Sequence, residues 1–116
     1  MHRNFQIKRV YETAFVDDGY RILVDRLWPR GLKKEDALLD EWNKEIAPST
    51  ELRKWFDHQP EKFEEFSNRY REELMAHQDD LKRLKEIAGE RMVSLLFAAK
   101  DSQKNNAAVL MNILTG

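Results

Sequence analysis

The run DRLWPRG at positions 25–31 combines charged and aromatic residues directly after an apolar stretch. The guanidinium groups of Arg26 and Arg30 suit phosphate or carboxylate, which they bind through paired hydrogen bonds. Asp25 could act as a general base, or it could orient the two arginines. Trp28 is a candidate ligand contact between them. These residues predict an anion-binding site with a tentative catalytic role for Asp25.

Structural roles for the same side chains remain open alternatives. Arg26 could form a bridge to Asp25 or Asp101, and Trp28 could fill the core. Charged residues at strand ends are common, and fixing the arginine side chains is a more frequent role for such an aspartate than catalysis.

A second polar cluster, KDSQKNN at positions 100–106, follows another apolar run and opens the last predicted helix. Lys100, Asp101, Asn105 and Asn106 are candidate ligand contacts, because the free N–H groups and dipole of a helix N-terminus favour an anion. The two asparagines could equally cap the helix.

Ser49 and Arg53 complete the candidate set. Ser49 follows a proline, and helix capping is favoured over nucleophilic chemistry because no histidine has a convincing position as its base. Arg53 could join the anion site or lie exposed. His58 is assigned to a loop, and the histidines form no metal-ligand pattern such as H-E-x-x-H. We therefore expect neither a metal nor a cofactor.

The elements that would position these residues follow from apolar patterning. Strands are predicted near 5–11, 20–25 and 92–99, the last a continuous apolar run typical of a strand covered on both faces. We predict an α/β fold: a single small three-layer domain over 1–116, with a short, mainly parallel sheet of about three strands flanked by helices. If the strands at 22–24 and 95–97 are parallel neighbours, both polar clusters meet at one edge, where such sheets bind ligands.

Helices are predicted between the second and third strands, and one more after the third strand. Leu39, Trp42 and Ile46 have helical spacing, and a short helix should run from a Ser49 or Thr50 cap to Phe56. Further helices before the third strand should carry apolar stripes, and the helix after it should end near Leu114. We expect four aromatic side chains of this region to be mostly buried, namely Trp42, Phe63, Phe66 and Tyr70.

Composition limits the class of protein. The 116 residues are 41% apolar and contain 20 Lys and Arg against 21 Asp and Glu. This balance disfavours binding of nucleic acid through bulk charge, although it allows a local basic patch. There is no cysteine, no apolar run long enough to cross a membrane and no signal-peptide pattern, so we expect a cytoplasmic protein without membrane contact.

The run at 25–31, together with Trp42, the segment APS at 47–49 and LRKWF at 52–56, resembles the DUF488 family in its short YeaO-like branch. The resemblance continues through Phe66 and Tyr70 to the last helix. It implies no particular substrate. Longer relatives are similar at 24–26 but carry a Cys-His-Arg segment where this chain has Asn105, Asn106 and Ala107, so a cysteine-based mechanism cannot operate here.

The leading hypothesis is a protein that binds an anionic small molecule and could be an enzyme. The alternative is a non-catalytic module for protein or nucleic acid, which predicts a flat exposed surface around Trp28 and Trp55. A hydrolase with a metal between Asp25 and Asp101 is weaker, because two carboxylates are a thin ligand set. The sequence leaves the oligomeric state open.

Overall fold

A four-stranded parallel sheet forms the centre of the fold. The computed structural model describes residues 4–116. The strands are β1 (Phe5–Arg9), β2 (Tyr20–Leu23), β3 (Glu41–Trp42) and β4 (Val93–Phe97), in the order β1-β4-β2-β3. Every neighbouring pair is parallel. The predicted α/β fold with a short parallel sheet is confirmed, and the sheet has four strands rather than about three.

Helices cover both faces of this sheet. They are α1 (Lys34–Ala37), α2 (Thr50–Phe56), α3 (Phe63–Leu74), α4 (Gln78–Ala88) and α5 (Asn106–Thr115), with short 3-10 turns at Val16–Asp18, Pro60–Lys62 and Met75–His77. The main core lies between α2–α5 and one face of the sheet. The other face is covered by α1 and its flanking loops. Within residues 4–116, no helix has the length and apolarity needed to span a bilayer.

The apolar stripe of α3 enters the main core, as its spacing predicts. Phe66 and Tyr70 are fully buried, and the Tyr70 hydroxyl donates to the Ile46 carbonyl. Phe63 and Trp42 are partly buried and pack against the core clusters. Phe63 begins α3 near the surface, and Trp42 lies on the edge strand β3. The four aromatic residues are therefore mostly buried, as predicted, and Phe66 and Tyr70 are fully buried.

The helix predicted from Leu39, Trp42 and Ile46 is wrong, because this segment forms the edge strand β3. The backbone N–H of Asp40 donates to the Arg21 carbonyl at 2.8 Å, and that of Asn43 donates to the Leu23 carbonyl at 3.0 Å. An isolated helix here would leave these carbonyls of β2 without partners, a cost that outweighs three apolar residues at helical spacing.

The strands β2 and β4 are adjacent and parallel, with Ile22 paired to Leu95 and Leu23 to Leu96. The pairing extends one residue further, where the Val24 N–H donates to the Leu96 carbonyl at 3.0 Å. This confirms the predicted arrangement. The two polar clusters at 25–31 and 100–106 therefore leave the sheet at the same edge.

A buried ionic network, which we call the Asp18 network, lies on the sheet face opposite α2–α5. The Asp18 carboxylate accepts hydrogen bonds from Lys8 Nζ at 3.0 Å and from the Arg21 guanidinium. The Ser94 hydroxyl donates to the Asp18 carbonyl and accepts from Gln6. The side chains of Asp18, Lys8 and Arg21 are each at most 10% exposed. The network thus ties β1, β2 and β4 together.

Candidate functional site

A cleft of about 700 Å³ opens at the carboxyl edge of the sheet. Residues from the 25–31 run, the loop after α2 and the segment after β4 line it. Nine of the predicted site residues lie on its wall: Asp25, Arg26, Trp28, Arg30, Arg53, Lys100, Asp101, Asn105 and Asn106. The sheet thus gathers residues that are far apart in the sequence around one cavity.

Asp25 is held by neutral donors rather than by an arginine. The Ala98 N–H donates to its Oδ2 at 2.9 Å, and Asn106 Nδ2 donates to its Oδ1 at 3.1 Å. Burial raises the pKa of the Asp25 carboxyl, and these two hydrogen bonds oppose the rise. The expectation that Asp25 orients the arginines is not met, since no arginine within residues 4–116 forms an ion pair with it.

Arg26 is anchored to the backbone that precedes α2. Its Nε donates to the Pro48 carbonyl at 3.0 Å, and a second guanidinium nitrogen donates to the Ala47 carbonyl at 3.3 Å. The proposed bridge from Arg26 to Asp25 or Asp101 is absent from the described part of the chain. Arg30 is exposed at the rim of the cleft.

We expect Arg26→Ala to lower the free energy of unfolding by about 1–3 kcal/mol, because it removes charge-assisted hydrogen bonds to two carbonyls. Arg30→Ala is the matched control and should stay within about 0.5 kcal/mol of wild type, as is usual for exposed positions. Urea denaturation measures both. Equal values for the two variants would show that the Arg26 anchor contributes nothing to stability.

Arg53, on α2, and His58, in the loop after α2, both line the cleft. Arg53 is half-buried, and its Nε is fully buried without a hydrogen-bond partner among residues 4–116. Asp57 and His58 both have positive φ, 48° and 55°, a conformation rare for residues other than glycine. This loop places His58 on the cleft wall, close enough to Asp25 to lower the pKa of its carboxyl. His58 was not predicted as a residue of the site.

The second cluster divides into capping and cleft-facing residues. Asn105 caps α5 by accepting from the Ala108 N–H at 2.8 Å. Asp101 accepts from the N–H groups of Lys104 and Gln103, which hold the pKa of its carboxyl below the usual value. Lys100 and Lys104 are exposed, and both line the cleft.

Ser49 is the predicted site residue that the cleft does not include. Its hydroxyl accepts from the Leu52 N–H at 3.1 Å and donates to Glu73 at 2.6 Å. Both roles of the oxygen are therefore occupied in capping α2 and fixing it to α3. The capping interpretation is confirmed, and Ser49 does not lie on the wall of the cleft.

Trp28 and Gly31 shape the loop between β2 and α1. Trp28 packs edge-on against Trp42 with ring centroids 5.2 Å apart, and its indole N–H donates to the Leu32 carbonyl at 2.6 Å. Gly31 has a φ of 77° and open space where a Cβ would lie. Glycine is therefore required by the backbone conformation here and not by a close contact.

The cleft is lined by five Lys or Arg side chains and two Asp side chains. The basic residues are Arg26, Arg30, Arg53, Lys100 and Lys104. With both aspartates charged, the wall carries a positive excess although the whole chain has a net charge of −1. Between residues 4 and 116, no three His, Cys, Asp or Glu side chains come together to hold a metal ion.

The fold and the cleft define a parallel α/β protein with a basic cavity at the carboxyl edge of its sheet. The chain belongs to the DUF488 family, since the family model described as the inactive DUF488-N3 subclade matches residues 4–116. The predicted membership is confirmed.

Two relatives show how far this likeness extends. The chain is 52% identical over 111 residues to the uncharacterized protein YeaO of Escherichia coli, covering 96% of each chain. It is 45% identical over 112 residues to the uncharacterized protein Rv3073c of Mycobacterium tuberculosis, covering 96% of this chain and 93% of the relative. No solved structure matches the chain significantly.

Proposed function

We propose that this protein binds a small molecule bearing a phosphate or carboxylate group in the cleft at the carboxyl edge of the sheet. The observation that carries the proposal is the Arg53 guanidinium, half-buried on the cleft wall with its buried Nε unpaired among residues 4–116. A buried donor without a partner costs about 1–3 kcal/mol. An anion beside this guanidinium would add negative charge and acceptor oxygens to a site where Arg53 makes no salt bridge among residues 4–116.

The surrounding charges support the same proposal. Arg30, Lys100 and Lys104 are exposed along the cleft, and Asp101 has its carboxylate engaged by backbone N–H groups. No salt bridge involves these basic side chains in the described range 4–116. Cations without carboxylate partners in one concave site attract anions.

Binding without turnover is the version of this function that we favour. The family description names the matched subclade inactive, and the chain has no cysteine. The Ser49 hydroxyl lies outside the cleft lining, bonded to Glu73.

The alternative, a flat module for protein or nucleic acid, has less support. That hypothesis requires Trp28 and Trp55 to share an exposed face. Trp28 is half-buried against Trp42, whereas Trp55 is absent from the cleft lining and has Lys62 and Arg69 over its ring. A concave cavity suits a small molecule better.

We expect inorganic phosphate to raise the melting temperature of the wild-type protein progressively with phosphate concentration, because a ligand that binds only the folded state stabilises it by RT ln(1 + [L]/Kd). Arg30→Ala and Arg53→Met should each remove most of this stabilisation, because each deletes one cation from the site. Differential scanning fluorimetry across a phosphate series, with sodium chloride at matched ionic strength, measures the effect.

The matched control is Arg91→Met. Arg91 is exposed before β4, at the opposite end of the strands, and should keep the full phosphate response. A wild-type protein that responds to phosphate no more than to chloride would refute the anion site. An equal loss in Arg91→Met would reduce the response to a general charge effect.

A further inference from the structure

We infer that Asp25 selects ligands that carry a neutral hydroxyl or N–H donor in addition to their anionic group. This inference rests on the proposed function. The Asp25 carboxylate lines the cleft and is held in place by the Ala98 N–H and by Asn106 Nδ2, one donor on each oxygen. A carboxylate oxygen accepts two hydrogen bonds, so each oxygen keeps one free acceptor position.

A comparison with Asp18 shows that Asp25 is incompletely satisfied. Asp18 is buried and Asp25 is half-buried, but the Asp18 carboxylate accepts from Lys8, Arg21 and the Phe15 N–H, and two of these are cations. Asp25 accepts only from neutral groups, and no side chain within 4–116 forms a salt bridge with it. Burial raises the pKa of the Asp25 carboxyl, and the two neutral donors together with the nearby charges of His58 and Arg53 offset this only in part. A donor from a ligand would complete its hydrogen bonding.

The charge of the cleft determines which kind of donor fits. A ligand ammonium group would meet Asp25, but it would also meet five Lys and Arg side chains on the same wall. Like charges in one cleft repel, so a neutral hydroxyl or N–H is the better partner. The cleft, about 700 Å³, lies in the range of about 300–1,000 Å³ typical of small-molecule sites. It therefore has room for a carbon skeleton between the anionic group and the hydrogen-bond donor of the ligand.

The test compares two phosphate esters with the same three-carbon chain, glycerol 3-phosphate and propyl phosphate, which differ in the two hydroxyl groups. Isothermal titration calorimetry gives the ratio of the two dissociation constants. We expect Asp25→Asn to reduce the preference for glycerol 3-phosphate by about tenfold, the effect of losing one hydrogen bond to a charged acceptor. Affinity for inorganic phosphate should stay the same or increase, because a negative charge has left the cleft.

Asp79→Asn is the matched control, since it makes the same change of side chain and charge at an exposed position in the first turn of α4, outside the cleft lining. The ratio of the dissociation constants for the two phosphate esters in this control variant should equal that of wild type. Absence of binding by all three phosphates in wild type would refute the proposed function itself. Binding of all three, with the same ratio in Asp25→Asn and wild type, would overturn the selection by Asp25 and leave the anion site intact.

A second variant keeps the inference testable if Asp25→Asn folds poorly. Asn106→Ala removes the donor that orients Asp25 Oδ1 and leaves the charge in place. It should shift the ratio in the same direction by a smaller factor. Retention of the full wild-type preference in this variant would contradict the need for an oriented Asp25 carboxylate.

Discussion

Phe66→Ala should lower the free energy of unfolding by about 3–5 kcal/mol, the usual loss for a buried aromatic side chain. Phe66 is 2% exposed, and its ring stacks on Phe56 with centroids 4.3 Å apart. The ring centroids of Phe63 and Tyr70, on the same helix, lie 6.1 Å and 5.8 Å from the Phe66 ring centroid. Removing the ring leaves a cavity between α2 and α3 that rigid neighbours cannot fill.

Urea denaturation at neutral pH measures this loss. Met75→Ala is the control, because Met75 is a large apolar residue at the end of α3 that is 68% exposed, and its loss should be within about 0.5 kcal/mol. A loss below about 1 kcal/mol for Phe66→Ala would mean that the α3 stripe does not form the core.

Asp18→Ala should destabilise the fold by about 3–5 kcal/mol, because Lys8 and Arg21 would keep their charges in a buried setting without a carboxylate. Asp17→Ala is the matched control: the neighbouring aspartate is exposed and should contribute less than about 0.5 kcal/mol. Equal stability of the two variants would show that the Asp18 network is energetically neutral.

The same network predicts a dependence on pH. Burial alone would raise the pKa of Asp18, but hydrogen bonds from the Phe15 N–H, Lys8 and Arg21 outweigh it and hold the pKa below the usual value. A carboxyl with a lowered pKa in the folded state stabilises the fold above its unfolded pKa of about 3.9. This stabilisation is lost as the pH falls through the folded pKa. Asp18→Ala should therefore lose less stability than wild type on acidification below about pH 4.

The main features of this fold could be predicted from sequence because burial leaves a clear pattern. The nearly unbroken apolar run at Val93–Phe97 indicated a covered strand, and the stripe ending in Phe66, Tyr70 and Leu74 indicated α3. The edge strand β3 could not be found in this way. It is two residues long and is set by hydrogen bonds to β2, so its sequence carries no period of its own.

The candidate site was predictable to the extent that sheet topology determines it. Once the strands ending near Val24 and Phe97 are parallel neighbours, both polar clusters lie at one edge of the sheet, where Asn106 Nδ2 donates to Asp25 Oδ1 at 3.1 Å. His58 was missed because its position depends on two consecutive positive φ angles after α2, and neither Asp57 nor His58 signals this conformation. The hydrogen bond between Ser49 and Glu73 spans two helices, which local spacing does not reveal.

The position of β4 has a consequence for how the protein is made. β4 lies between β1 and β2 in the sheet, yet residues 93–97 follow both strands by about seventy residues or more in the chain. During synthesis from the N-terminus, β1 and β2 do not pair with each other, so neither gains its shared partner until residues 93–97 have been made. Completion of the sheet therefore requires β4, and a chain that stops before residue 93 lacks the strand that joins its two halves.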